Sequence, residues 1–481
     1  MSPVRLMAAN DWRLMARSRV AQLALLMLLA LAAVAALTAI AHRDHSNDLR
    51  ARFQAQADRA FDGQPARHPH RMVHYGHFVF RPLPALAGFD PGVDAFTGST
   101  IFLEGHRQNS ANFGDVRQSS LLARFGQLSP AFVLQVLAPL VLIFIGFGLI
   151  AGERERGTLR LLRVHGRSAG EVLRGKLLAL AGIGAVLLLP ACLALTWLTV
   201  SAQAEPLAAV LLTLGYVGYL GLWVAGVVAV SALTRSARGA LMALLGLWAV
   251  TTILVPRIGS DIALRLAPLP TRLESDIAIQ RDLHRIGDSH NPDDPHFAAF
   301  KAGLLARYKV TRVEDLPLNY RGLVAMEGER LTAGLFDRYA EAQFTRQRRQ
   351  AEVVNGLALL SPAVAVRSLS MALAGTDLEG HRRFLRQAEA YRYTIVQGLN
   401  RLQAEAVTYV DDGNRNSDPE AARRVRIDPR HWHDVPDFAY RSAGLGERIL
   451  AAAPGAAVLA VWLVLAAGAL GLAARRLGRD Q

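Results

Sequence analysis

Four histidines within a ten-residue stretch are the side chains of this chain best suited to metal chemistry: His68, His70, His74 and His77. Imidazole nitrogens are common ligands of zinc and copper. His70 and His74 would share one face of an α-helix because they are four residues apart. Pro69 and Gly76 argue against a regular helix, however, and no cysteine or nearby carboxylate completes a ligand set. We therefore expect a structural cluster that is solvated or hydrogen-bonded, with no metal and no other cofactor; a metal site is the alternative.

A second pattern, Gly-x4-Gly-Lys at Gly170, Gly175 and Lys176, matches most of a phosphate-binding P-loop. Leu177 follows the lysine, so no hydroxyl is available for magnesium at that position. No buried strand precedes the pattern, and the residues after it are apolar. We therefore expect no nucleotide binding and no ATP hydrolysis by this chain. The apolar parts of the chain also contain no paired carboxylates and no metal-ligand set, so we expect that the protein is not an enzyme.

Long apolar runs must position these side chains. The chain has 481 residues, 52% of them hydrophobic. Six runs without charged residues or histidine each approach or exceed the roughly 17–25 residues that cross a bilayer: 20–41, 125–152, 177–204, 206–234, 239–256 and 449–474. The first run is too long for a signal peptide, and no small-residue cleavage site follows it. The sequence predicts an all-α polytopic membrane protein with six transmembrane helices and two largely helical extracytoplasmic regions.

The net charge of +14 invites a nucleic-acid partner, but its distribution follows the positive-inside rule instead. If the amino terminus is cytoplasmic, the inside segments hold sixteen Lys and Arg residues: 1–19, 153–176, 235–238 and 475–481. The one short outside loop, around Glu205, is acidic. We expect a multi-pass protein of the bacterial inner (plasma) membrane with both termini in the cytoplasm, in contact with lipid and with no nucleic acid.

The runs divide the chain into a cytoplasmic interfacial helix at 1–19, a first periplasmic region at 42–124, a second at 257–448 and a cytoplasmic tail at 475–481. The amino-terminal stretch is alternatively only a positively charged lead into the first span. Helical patterns dominate the second region, at 272–285, 297–308, 323–354 and 377–405, before a turn-rich stretch at 411–419. The single cysteine, Cys192, lies in a span, so neither outer region is held by disulfides.

The basic segment 153–176, between the second and third spans, is the best candidate for a functional site. The spans contain no ionisable residue, which disfavours ion-driven transport and points to energy from a cytoplasmic partner. Glu153 and Glu155 favour the positive end of a short helix. Thr158, Leu159, Leu162 and Val164 offer an apolar surface among arginines. We expect this segment to contact another protein; alternatively, its charges only fix the topology.

The residues of this segment resemble those of a known family. Residues 145–162, with Gly157-Thr158-Leu159 after two glutamates, and then Arg174-Gly175-Lys176 look like the pattern after the second span of ABC-2 type exporter permeases. The rest of the chain resembles a subgroup with two large outer insertions and unassigned substrate. The resembling pieces are 74–76, 90–93, 104–109, 236–241, 361–362 and 374–377.

The resemblance implies a dimer of six-helix permease subunits, either two copies or sister chains, each paired with a cytoplasmic ABC ATPase. It implies that the segment docks on the ATPase through these coupling residues: Glu153, Glu155, Gly157, Thr158, Leu159, Arg163, Gly175 and Lys176. His74 and His106 match subgroup positions that carry no known metal role, which favours structural histidines. The alternative function is a membrane-anchored envelope sensor or assembly factor without transport activity.

Overall fold

The computed structural model describes residues 2–112, 128–289, 291 and 293–479. The predicted segments that lie outside the described residues are 113–124 of the first outer region and 125–127 of the second span, together with residues 1, 290, 292, 480 and 481. In chain order the helices are α1 (Pro3–Arg17), α2 (Arg19–Asp62), α3 (Pro69–Tyr75), α4 (Pro130–Glu155), α5 (Thr158–Val164), α6 (Ala169–Ser201), α7 (Pro206–Leu233), α8 (Ala237–Leu266), α9 (Arg272–Ile286), α10 (Pro295–Tyr308), α11 (Tyr320–Gly356), α12 (Pro362–Ala374), α13 (Leu378–Ala406), α14 (Tyr409–Asn414), α15 (Pro419–Arg424), α16 (Arg430–His433) and α17 (Leu445–Arg479).

Six of these helices, α2, α4, α6, α7, α8 and α17, are long and apolar enough to cross a membrane. Among the described residues, only one antiparallel pair of strands accompanies them, β1 (His77–Phe80) and β2 (Thr100–Leu103), with His77 opposite Leu103. Short 3-10 turns cover Ala85–Gly88, Val313–Asp315 and Leu357–Leu359. The prediction of an all-α chain with six membrane-crossing helices is confirmed. That the two large regions are extracytoplasmic stays a prediction.

Helix α2 is a single rod of 44 residues. At 1.5 Å per residue it is about 66 Å long, roughly twice the 30 Å core of a bilayer. The first span predicted at 20–41 and the helical pattern at 49–61 are therefore one continuous helix. Its carboxyl end stands beside the first and second outer regions, where the Asp62 carbonyl contacts His433.

Two spans contain a wide π-helical turn just before a proline. In α4 the turn Val133–Leu137 precedes Pro139, and in α8 the turn Ala249–Leu254 precedes Pro256. Proline lacks an N–H and its ring clashes with the carbonyl four residues earlier, so a wider turn relieves the clash without breaking the helix. The span predicted at 239–256 therefore continues through its proline to Leu266.

The carbonyls that the α4 turn releases are bonded by neighbouring helices. Tyr219 of α7 donates its hydroxyl to the Gln135 carbonyl at 2.7 Å. Trp248 of α8 donates its indole N–H to the Val136 carbonyl at 3.1 Å. Because a bilayer core offers no water to an unpaired carbonyl, these contacts remove a cost of several kcal/mol for each group.

Helix α12 packs into the span bundle, although the sequence assigns residues 362–374 to the second outer region. Its apolar face contacts α7 and α17, and Leu369 and Leu373 belong to the same buried core as the spans. Gly455 of α17 allows this packing, since a Cβ there would lie 2.7 Å from the Ala365 carbonyl oxygen. The sequence pattern does not reveal α12 because 13 residues are too few to cross a bilayer.

The rest of the second region is the helical domain that the sequence predicts. Helices α9, α10, α11 and α13 match the four predicted patterns to within three residues at each end. Their starts are set by side-chain caps, such as the capping box of Thr271 and Glu274. The turn-rich stretch at 411–419 contains the end of α14 and the start of α15.

The expectation that Pro69 and Gly76 prevent a helix is wrong. Pro69 is the first residue of α3, where its missing N–H is not needed, and His68 caps the helix. Gly76 ends it with a φ of 76°, a conformation that favours glycine. The two residues read as helix breakers therefore mark the helix boundaries.

Two glycines of α11 provide a test of the packing of α11 against α13. A Cβ at Gly322 would lie 2.4 Å from the backbone nitrogen of Ala404 in α13, whereas one at Gly334 would meet no described atom within 4 Å. We expect Gly322→Ala to lower the free energy of unfolding by about 1–3 kcal/mol through overpacking. The matched Gly334→Ala should raise it by about 0.5–1 kcal/mol, as alanine in place of glycine does in an open helix. Denaturant unfolding in detergent measures both, and equal effects would contradict the α11–α13 contact.

Candidate functional site

The basic segment 153–176 forms a compact turn between α4 and α6. Gly157 (φ 75°) joins α4 to the two-turn helix α5, and Gly166 (φ 74°) follows α5. Both conformations favour glycine, and nothing crowds either position among the described residues. Ser168 and Glu171 then form a capping box that starts α6. The segment is thus held as a defined helix between two spans.

A buried ion triad holds the base of the segment. Lys176 of α6 is 3% exposed, and its Nζ lies 2.9 Å from Asp11 Oδ1 of α1 and pairs with Glu153 of α4. Burial raises the pKa of the Asp11 carboxyl, and the lysine charge opposes that rise. A buried charge is tolerated only with such partners. The triad therefore ties α1, α4 and α6 together at one end of the bundle.

The end of α4 also binds the connection between α7 and α8. Arg154 donates to the carbonyl of Ala232 at 2.8 Å and to that of Thr234, which satisfies carbonyls left open at the end of α7. Glu155 accepts a hydrogen bond of 3.2 Å from the N–H of Ala237, the first residue of α8. Any displacement of this end of α4 must therefore disturb both neighbouring spans.

Helix α5 is attached to the segment and to the last span. Thr158 donates its hydroxyl to the Glu153 carbonyl at 3.2 Å. Arg163 donates to the carbonyl of Leu477, near the end of α17. Leu159 points into the bundle and is 8% exposed. These contacts leave one side of α5 uncovered.

The uncovered side, here the exposed face of α5, combines two apolar side chains with one basic side chain of the same helix. Leu161 is 59% and Val164 76% exposed, and Arg160 is exposed as well. The apolar surface in the structure therefore differs in part from the one expected from the sequence. Leu159 lies inside, and Leu161 takes its place on the surface.

The eight predicted coupling residues differ in exposure. Five are buried or half-buried: Glu153, Leu159, Arg163, Gly175 and Lys176. The other three are exposed, although two of them make the hydrogen bonds described above: Glu155, Gly157 and Thr158. Gly175 allows α1 to approach, since a Cβ there would lie 3.0 Å from Met7 Cβ. Asp11 is not among the residues predicted from the sequence, where its signal is a single acidic residue in a basic helix.

At the opposite end of the bundle, an acidic residue from the first outer region meets the spans. Asp90 is buried and accepts a hydrogen bond from Ser370 of α12, which accepts one of 3.0 Å from Tyr216 of α7. Gln135 of α4 donates to the same Tyr216 hydroxyl at 2.8 Å. Burial raises the pKa of Asp90. The apolar runs of the spans contain no Asp, Glu, Lys, Arg or His, but the fold brings a carboxyl group to their end.

Comparison with known proteins is informative for the second region only. A family model described as a domain of unknown function, DUF3526, matches residues 272–441. The match runs from α9 through α16 and includes neither the segment 153–176 nor any of the six candidate spans. No curated protein matches the chain.

Loss of the lysine tests the ion triad. Lys176→Met leaves the Asp11 and Glu153 carboxylates buried without their cation, and we expect it to lower the free energy of unfolding by about 3–5 kcal/mol. Arg174→Met is the matched control, because it removes a positive charge two residues earlier in α6, from an exposed side chain that donates to the Gly170 carbonyl of its own helix. Denaturant unfolding in detergent compares them. Equal stability of the two variants would show that the triad does not hold this end of the bundle.

Proposed function

We propose that this protein is the membrane-spanning permease subunit of an ATP-driven exporter of the ABC-2 type, energised by a separate cytoplasmic ATPase subunit. The exposed face of α5 is the observation that supports this most strongly. A two-turn helix between two spans leaves Leu161 and Val164 exposed. Exposed apolar side chains lower the free energy only when a partner covers them, so this pair is suited to a protein contact. Arg160, exposed on the same helix, suits a partner surface with acidic groups.

The distribution of charge supports a cytoplasmic position for this face. Contacts gather α1, α5, the α7–α8 connection and the end of α17 at one end of the bundle. These are the segments rich in lysine and arginine, so the positive-inside rule assigns that end to the cytoplasm. Both termini would then be cytoplasmic, in a bacterial inner membrane, and the regions around α3 and α9–α16 would be periplasmic.

The contacts behind α5 provide a physical route from an ATPase to the spans. Force on α5 reaches α17 through Arg163, and force on the end of α4 reaches α6 through Lys176 and α7 through Arg154. Each link joins rigid helices through a charged hydrogen bond, which is stronger than a neutral one. A partner that closes against α5 would therefore move at least three spans together.

The resemblance of 153–176 to ABC-2 permeases further supports a second permease subunit, a copy or a sister chain, as the other half of the transporter. An envelope sensor or assembly factor is the second candidate, favoured by the size of the α9–α16 domain relative to the spans. The two functions differ in one requirement. Only the transporter needs the exposed face of α5 to hold an ATPase.

Acidic substitutions on the exposed face of α5 test the proposal. The test compares the double variant Leu161→Glu, Val164→Glu with the unmodified chain, each tagged and purified in mild detergent from its own host. We expect the amount of ATP-hydrolysing partner that co-purifies to fall about tenfold or more in the double variant, because charge replaces the apolar contact. The readouts are phosphate release and mass-spectrometric identification of a subunit with a P-loop.

Val410→Glu is the matched control, since Val410 is 56% exposed on α14, at the other end of the molecule. It should retain the partner fully. Undiminished ATPase in the double variant would overturn the role of α5. Absence of any ATPase from the unmodified chain, purified from host cells that express it, would overturn the transporter proposal in favour of the sensor.

A further inference from the structure

Three imidazoles from two separate segments converge at one point of the first outer region. His70 and His74 lie one turn apart on α3, and His106 lies in the turn after β2. The Nε2 atoms of His70 and His74 are 3.2 Å apart. One ligand nitrogen from each of the three residues lies within 4.8 Å of the other two. Neither the family match nor any other comparison assigns a role to this cluster.

Local structure explains why His106 reaches α3. Gly105 precedes it and donates its N–H to the Val73 carbonyl of α3 at 3.3 Å. A Cβ at Gly105 would lie 2.3 Å from Val73 Cγ1, so only glycine allows this approach. The turn after β2 is thereby pressed against the helix that carries the other two histidines.

The backbone of His106 is held in a conformation that non-glycine residues seldom adopt. Its φ is 63°, and strain of this kind persists where the surroundings fix it. The His106 N–H donates to Glu329 Oε2 at 3.1 Å, and that oxygen also lies 3.7 Å from His106 Nδ1. Glu329 is itself fully buried and pairs with Arg392 at 2.6 Å. The Glu329 carboxylate thus fixes the His106 backbone and lies near its ring, and a nearby carboxylate is common behind histidines that bind metals.

We infer that His70, His74 and His106 bind a zinc ion, with a water in the fourth position on the exposed side of His74. With zinc–nitrogen bonds of 2.0–2.1 Å, ligand nitrogens of a tetrahedral site lie about 3.3 Å apart, close to the His70–His74 distance. The wider separation from His106 closes with small rotations of the rings. Copper(II) takes the same ligands and competes for the site.

A simple contact between two histidines is the rival explanation. An N–H to nitrogen hydrogen bond also accounts for the 3.2 Å separation of His70 and His74. It gives no reason for a third imidazole from another segment, nor for the strained backbone that presents it. Two features of the sequence argue against a metal site: the expected lack of a helix and the lack of a further ligand nearby. The structure removes both, because α3 forms and His106 supplies the third ligand.

Zinc binding by the full chain in detergent, purified by a tag without histidine, tests the inference. After treatment with chelator and removal of the chelator, we expect one tightly bound zinc per chain by calorimetry and elemental analysis. Cobalt(II) in the same site should give the intense visible absorption of tetrahedral coordination. The midpoint of thermal unfolding should rise when zinc is added.

Variants distinguish zinc binding at the three-histidine cluster from non-specific zinc binding elsewhere on the chain. His106→Gly removes one ligand and relieves the positive φ, so the chain folds while zinc affinity falls at least about tenfold. His70→Gln combined with His74→Gln should abolish binding and the zinc-dependent thermal shift. Glu329→Gln should weaken binding by about 10–100-fold.

The controls are His284→Ala and His431→Ala, two exposed histidines away from the cluster, which should bind zinc as the unmodified chain does. If the unmodified chain binds no stoichiometric zinc, the inference fails. It fails also if the variants that lack cluster histidines bind zinc as tightly as the controls. Binding here is independent of the ATPase measurements, so either proposal can fail alone.

Discussion

The buried ammonium of Lys176 is the interaction on which the candidate coupling end of the molecule depends. A charge that is 3% exposed requires partners, and they come from two other elements, Asp11 of α1 and Glu153 of α4. This requirement fixes where α1 lies and how α4 ends, and so how α5 is presented. Hydrogen bonds of Arg154 and Arg163 then add α7 and α17. The side of α5 that carries Leu161 and Val164 stays open, since Leu159 and Arg163 make the inward contacts of this helix.

The bilayer imposes a second constraint, which governs the interior of the spans. Every carbonyl released by the two prolines must find a donor within the protein. The fold meets this with aromatic and hydroxyl side chains from neighbouring helices, such as Tyr219 and Trp248. Packing of α4, α7 and α8 is therefore specified by hydrogen bonds as well as by shape. Helix α12 contributes in the same way, since Ser361 donates to the Thr251 carbonyl of α8.

Much of this fold follows from local signals, and what does not follow depends on distant contacts. The spans and helices such as α9 and α13 are predictable because hydrophobicity, periodicity and caps are local properties. The burial of α12 is not, because its partners are far along the chain. Basic residues of 153–176 mark the candidate site, but whether Leu159 or Leu161 is exposed depends on how α5 rotates against the spans. His106 joins His70 and His74 only through the hairpin. The helix that begins at Pro69 is not evident from the sequence, because a proline can start a helix as well as stop one.

The continuous α2 gives the molecule a mechanical lever. About half of its 44 residues stand beyond the predicted span, a projection of about 30 Å. A tilt of about 5° within the membrane would sweep its far end through about 3 Å, roughly the rise of two helical residues. That end touches the hairpin through the pairing of Asp58 with His77 and the second region through Asp62 and His433. A small reorientation of one helix is thus magnified where residues 58–77 meet the domain formed by α9–α16.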